Sequence, residues 1–217
     1  MNAPPLYQQI YAKYQLGPAS HMTDLSNVEA IVRAGELRSY NLMRGHTYRN
    51  LANEDVQAGR AAKTVPATGR PLHDYVPLYF GNRTPVVAVN EQHNEELVFI
   101  RFSLDLLAQG NVVITDGNAR SGTTVFRLFT ALADLDLLDP RAINTVRYAG
   151  DAELRRKKQA EALVLERLSL DYAYDFIVYS QTAQERLLEI FDRCGTKFRI
   201  QVSPGNWYFR TPSQGKP

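Results

Sequence analysis

The 217 residues contain a single cysteine, Cys194, which excludes an intramolecular disulfide and a thiolate-based zinc site and fits a reducing compartment. The four histidines (His21, His46, His73, His93) lack metal-ligand spacing such as HExxH, so no metal centre is expected. No apolar run approaches the roughly 20 residues that span a bilayer. The amino-terminal MNAPPLYQQIYAKYQ carries no apolar signal-peptide core, so a soluble, cytoplasmic protein is expected. There is no GxGxxG and no P-loop, which removes the two commonest phosphate-cradling motifs. Net charge is only +2, so affinity for nucleic acid has to come from local patches rather than a global field.

What remains is an ordinary globular composition, 44% hydrophobic and 22% charged. The length suits one domain, here placed at 1–210, with a disordered tail at 211–217. Leu6, Ile10 and Tyr14 share one helical face, and Gly17-Pro18 ends that helix. A second helix follows His21, with Leu25, Val28, Ile31 and Val32 in register, Asp24 or Ser26 as its cap and Gly35 as its stop. His21 then lies on a short extended piece, where a lone histidine is more often structural than catalytic.

Residues 39–73 hold few large apolar side chains but carry Arg44, Arg49, Arg60, Lys63 and Arg70 among glycines. The stretch reads as a surface loop with at most one short helix, either a binding lid or a solvated segment. Its tyrosines and arginines, Tyr40 and Tyr48 among them, suit phosphate and base contacts. His73 to Phe80 predicts a strand whose Pro77 favours an edge or bulge. Thr84-Pro85 opens a short helix or strand to Val89. Leu97–Phe102 and Val112–Ile114 are strands, the second running into the polar loop Thr115 to Gly122. Val125 to Leu138 predicts a helix. Phe176–Ser180 and Phe198–Val202 are strands flanking a helix from Gln181 to Cys194. The irregular order, without βαβ rhythm, argues for α+β.

Arg155 to Leu165 is ambiguous. RRKKQAEALVLERL holds good helix formers, yet as a strand its alternation would put Gln159, Glu161 and Leu163 on one face and Ala160, Ala162 and Val164 on the other. A glutamate at the mouth of a strand beside a cationic run suits work on an anionic ligand. Glu166, of opposite parity, would not substitute.

Five stretches in order resemble the DarT family of DNA ADP-ribosyltransferase toxins, which are paired with the macrodomain antitoxin DarG. They are His21-Met22-Thr23, HDYVPLYF from His73 to Phe80, Thr115-Asp116-Gly117, Gln159 to Val164, and Trp207-Tyr208-Phe209. The resemblance implies an ADP-ribosyltransferase-like split antiparallel sheet with peripheral helices and the long arginine-rich binding loop. It implies NAD in the cleft and transfer of ADP-ribose to a base of single-stranded DNA, most often thymine. A DarG-like macrodomain antitoxin would be the partner.

The resemblance also assigns residues. Glu161 would be the catalytic carboxylate, on a strand beginning at Gln159. An arginine of the loop would assist the acceptor, Arg60 by alignment. The family's usual pair of adjacent arginines is here Gly59-Arg60, which leaves Arg49 in competition. His21, Thr23, Asn27, Tyr75, Tyr79 and Gln159 would hold NAD, with a tyrosine stacking on nicotinamide. Arg44, Tyr48, His73, Thr115, Asp116, Gly117, Asn118, Arg155 and Arg156 would face DNA. The same fold acting on guanine, RNA or protein, or a nucleic-acid-binding domain without activity, are the competing readings.

Overall fold

A computed structural model describes residues 3–203 and 207–210. The tail at 211–217 and Asn206 therefore lie outside the described residues. In chain order the elements are α1 (Leu6–Tyr14), β1 (Ala19–Asp24), α2 (Leu25–Ala34), β2 (Glu36–Arg38), α3 (Glu54–Ala61), β3 (Thr64–Val65) and β4 (Arg70–Pro71). A 3-10 turn over Leu72–Asp74 leads into β5 (Tyr75–Tyr79), α4 (Pro85–Val89), β6 (Leu97–Phe102), β7 (Val112–Thr115) and β8 (Phe126–Leu128). Then come α5 (Pro140–Asn144), α6 (Ala152–Lys157), β9 (Glu161–Leu165), β10 (Arg167–Ser169), β11 (Ala173–Val178), α7 (Gln181–Cys194) and β12 (Ile200–Val202).

Eight strands form one sheet in the order β12-β11-β6-β1-β5-β9-β7-β8, antiparallel except for the β11–β12 pair. The mixed α+β class follows. One βαβ unit, β11-α7-β12, breaks the expected absence of that rhythm. α7 is amphipathic, buries Ala183, Leu187, Ile190 and Phe191, is capped by Ser180 and ends at Gly195 in the left-handed region (φ 64°). Burial of Leu187, Ile190 and Phe191 contributes roughly 1.5–3 kcal/mol each.

β6 lies inside the sheet, between β11 and β1. It is buried on both faces: Val98, Ile100 and Phe102 join the main core, while Leu97 and Phe99 join a second cluster with Tyr208 and Phe209. β1 runs along β6 over its whole length, from Ala19–Phe102 to Asp24–Leu97. On its other side β1 meets β5 only at Ser20–Tyr79, and the two strands then part. That divergence is the split in the sheet. Pro77 sits on the parting edge, where its missing N–H costs no ladder bond. The proline thus marks an edge within the sheet, not at its rim.

The Arg155–Leu165 ambiguity resolves into both structures. α6 takes Ala152–Lys157, with Asp151 as its cap, and the strand starts at Glu161. Gln159 therefore stands in the turn before β9, two residues ahead of the strand that was expected to include it. The predicted helix from Val125 to Leu138 is a short strand and a 3-10 turn over Leu132–Leu137. Phe126 to Leu128 pair with Thr115 to Val113, and Asp134 accepts from the N–H groups of Thr130 and Ala131, which breaks any helix there. Residues 39–73 hold α3, capped by Asn53, and the small hairpin β3–β4.

Candidate functional site

The split opens a cleft of about 770 Å³, within the usual range for small-molecule sites. Its walls come from β1 and the start of α2, from the loop between Arg38 and Asn53, from Arg60 on α3, and from His73, Tyr75, Pro77 and Tyr79 on and before β5. Asn118, Arg120, Arg155 and Gln159 complete the rim. Strand alternation explains the β5 set, since Val76 and Leu78 turn to the main core and Tyr75, Pro77 and Tyr79 take the opposite side.

Glu161 lies behind the cleft wall, in contact with the lining residue Arg60 and on the β9 position paired with Tyr79; it is not itself a lining residue. Its side chain is 0% exposed and is satisfied locally. Ala119 N–H donates to Oε1 at 2.9 Å, and Arg60 Nη1 donates to Oε2 at 3.1 Å. Its backbone N–H donates to Thr115 Oγ1 at 2.9 Å, and that hydroxyl donates onward to Gly117 O at 2.7 Å. A carboxylate offers about four acceptor sites, so capacity remains for a ligand hydroxyl beside the Ala119 and Arg60 donors. Burial together with the nearby Glu161 charge pushes the Tyr79 phenol far up, so it stays neutral.

The loop after β7 holds that arrangement. Asp116 and Arg156 form a bidentate ion pair at 2.8 and 2.9 Å, and Asn118 Nδ2 donates to Gln159 Oε1 at 2.9 Å. Arg156 also bonds Glu153, and Gly117 packs so closely on it that a Cβ there would stand 2.5 Å from Arg156 Nη1. Thr115 is fully buried. Thr115, Asp116, Gly117 and Arg156, expected on the DNA side, are not among the residues that line the cleft and make these contacts within the protein. Asn118 and Arg155 do reach the cleft. Arg44 is not among its lining residues, though its charge is felt at His73.

His21 sits in the wedge where β1 leaves β5. Its Nδ1 lies 3.0 Å from Pro77 O, which can only accept, so Nδ1 carries the proton. Burial, the larger influence, holds the ring neutral against the Pro77 bond, which favours the charged form. Nε2 of this tautomer is then an acceptor. Thr23 and Asn27 continue the wall, with Asn27 Nδ2 donating to Thr23 Oγ1 at 3.2 Å. Asn27 also clamps the long loop: it donates to Arg49 O and accepts from Arg49 N, both at 2.9 Å. Arg49 in turn pairs with Asp24 at 3.1 Å. Of the two competing arginines, the structure thus puts Arg60 on Glu161 and Arg49 on the cap of α2. Tyr75 is tied to Thr68 by a 2.5 Å hydroxyl contact, and Tyr48 lines the cleft beside Arg49.

Sequence reasoning looked to loop contacts from Thr115 to Arg120 for selectivity but gave neither Ala119 nor Arg120 a role of its own. Ala119 acts through its backbone N–H, which no side-chain pattern signals. Arg120 crosses Gly59, where a Cβ would stand 2.5 Å from Arg120 Cδ, and its guanidinium reaches Asp55 O at 3.3 Å. The missing side chain at Gly59 is what gives that second arginine room.

A split, largely antiparallel sheet with a cleft along its split is the architecture of the ADP-ribosyltransferases. Residues 20–209 match the protein family described as ssDNA thymidine ADP-ribosyltransferase, DarT. The chain is 30% identical over 201 residues to the DNA ADP-ribosyl transferase of Thermus sp. (strain 2.9), covering 88% of this chain and 96% of that relative. The solved structure of Thermus sp. 2.9 DarT in complex with ADP-ribosylated ssDNA superposes with a TM-score of 0.82 at 29% identity, over 90% of this chain and 97% of that one. The same enzyme in complex with NAD+ gives a TM-score of 0.75 at 28% identity, over 88% and 97%. The chain belongs to the DarT family of DNA ADP-ribosyltransferases. Among the described residues no helix is long and apolar enough to cross a membrane, and no group of histidine, cysteine and carboxylate side chains could hold a metal ion.

Proposed function

We propose that the cleft binds NAD and that the enzyme transfers its ADP-ribose to thymine in single-stranded DNA, with Glu161 as the catalytic carboxylate. The observation that carries this is the buried Arg60–Glu161 pair, in which Arg60 on α3 lines the cleft and holds the carboxylate behind it. The C1′–nitrogen bond to nicotinamide breaks and its electron pair leaves with nicotinamide. The sugar gains positive charge, which a fixed carboxylate in a site of low dielectric stabilises. A hydrogen bond from a ribose hydroxyl to Glu161 aligns the carbon under attack.

The neutral Nε2 of His21 accepts from a hydroxyl of the donor, and Tyr75 or Tyr79 stacks on its ring. The thymine ring nitrogen forms the new bond to C1′ and releases its proton to solvent, while Arg60 stabilises the base as it becomes anionic. A paired base has this edge occupied, so a single strand is the substrate. A macrodomain partner of the DarG kind belongs to the same reading.

The test is incubation with NAD labelled in its ADP-ribose, using strands that contain one kind of base each. Label on thymine strands, lost in Glu161→Gln, is the expected result. Label on guanine strands alone overturns the thymine assignment, and label on no DNA returns the acceptor to RNA or protein. Removal of the label by an added DarG-type macrodomain checks the partner.

A further inference from the structure

Among the described residues, Arg60 Nη2 and His73 Nε2 are buried without a hydrogen-bond partner, and both belong to residues that line the cleft. Leaving a polar group in that condition costs about 1–3 kcal/mol, and native proteins keep few of them. Two in one wall point to a ligand that completes both. Neither side chain is loose. Arg60 is anchored by Nη1 on Glu161 and is 11% exposed. His73 is 5% exposed, fixed in the 3-10 turn before β5, and its ring lies 4.2 Å from that of Tyr40.

Arg60 Nη2 can only donate, and a histidine in the tautomer protonated at Nε2 donates as well. Two donors in one wall suit a ligand edge with two acceptors. Among the DNA bases only thymine flanks a ring nitrogen with two carbonyl oxygens. Guanine and cytosine each place an amino group at one of those positions, which sets donor against donor, and adenine has no carbonyl at all.

Resting on the thymine reading above, we propose that His73 is a specificity-determining residue, its Nε2–H and Arg60 Nη2–H each holding one carbonyl of the acceptor thymine. Held so, the ring nitrogen between the carbonyls stays free to attack. The negative charge left when its proton departs spreads onto the two oxygens that the donors already grip, which is oxyanion-hole logic applied to a base. Burial first, then the charges of Arg60 and Arg44, keeps the His73 ring neutral against the opposing pull of Asp74, so two full cations do not crowd the same base.

The test uses the full chain with NAD and strands carrying a single thymine or a single guanine. His73→Phe keeps a ring against Tyr40 and removes the donor, and His73→Gln restores one. Thymine transfer in His73→Phe should fall by about 10², mainly in kcat, the order seen when one such donor is lost. The thymine-to-guanine ratio should fall with it, NAD affinity and thermal stability should stay at wild-type values, and His73→Gln should recover part of the rate. Wild-type rate and base preference in His73→Phe overturn the proposal. So does a loss of NAD affinity and stability that tracks the loss of rate in both variants, since that marks a structural role. Wild-type protein that labels no thymine strand refutes the thymine reading itself, a result distinct from a fully active His73→Phe.

Discussion

The Arg60–Glu161 pair makes an asymmetric prediction. At 3.1 Å and an effective dielectric near 20, the direct attraction is about 5 kcal/mol. Desolvation offsets most of it, so a double-mutant cycle should return a coupling of about 1–3 kcal/mol. The two single variants should not be equal. Glu161 left alone is 0% exposed and keeps only the Ala119 N–H, whereas Arg60 left alone is 11% exposed on the cleft wall and can hydrate. Arg60→Ala should therefore cost about 2–4 kcal/mol of stability, somewhat under the full cost of a stranded buried charge because truncation admits water. Glu161→Gln should cost less and keep its Ala119 bond, and the double variant should be more stable than Arg60→Ala. Urea unfolding of all four proteins reads this, and single-turnover transfer from labelled NAD reads the chemistry. Transfer in Glu161→Gln should fall ~10²–10³. A coupling under about 0.5 kcal/mol, or a Glu161→Gln protein that keeps a tenth of the wild-type rate, refutes the reasoning.

Asp116→Asn should loosen the loop that presents the Ala119 N–H, lowering kcat about tenfold while KM for NAD stays put, because neither oxygen of Asp116 needs to touch the donor. Initial rates over a range of NAD concentration decide it, and a change confined to KM defeats the positioning role. His21 is held neutral in the fold, so the unfolded chain binds its proton first and stability should decline as pH drops below about 6.5. The slope from this group is at most about 1.4 kcal/mol per pH unit, and His21→Gln should remove it in urea melts between pH 7 and 5. Lys158 is buried, its amine donating to Ile143 O at 3.1 Å, and burial lowers its pKa to about 8, with Arg83 adding to the effect. The folded state resists this charge below that pH, so Lys158→Met should stabilise by about 1–2 kcal/mol at pH 7 after the lost bond is counted. The gain should shrink as pH rises from 8 toward 10, and a destabilised Lys158→Met at pH 7 would contradict it.

What the sequence exposed and what it hid divide along a physical line. Elements whose signal is local were readable: Ser180, Gly195 and the apolar stripe between them define α7, and Asp24 with Gly35 brackets α2. Val125 to Leu138 failed because Phe126 and Leu128 have a partner strand in β7, and a pairing of that range leaves no mark on the helical period. The Arg155–Leu165 stretch failed in a different way. Its helix and strand signals were both real, and the boundary between them falls where Gln159 turns to bond Asn118 and Arg155, contacts that only the folded chain contains. At the site, the resemblance offered Glu161 and, in competition with Arg49, Arg60, but the contact between Glu161 and Arg60 was not legible, since 101 residues separate them. Asp116 and Arg156 show the limit most clearly. As letters they are a polar turn and a cation, the kind of residues a nucleic acid would meet. In the fold they form a bidentate ion pair with each other, a pairing that no local pattern in the sequence announces.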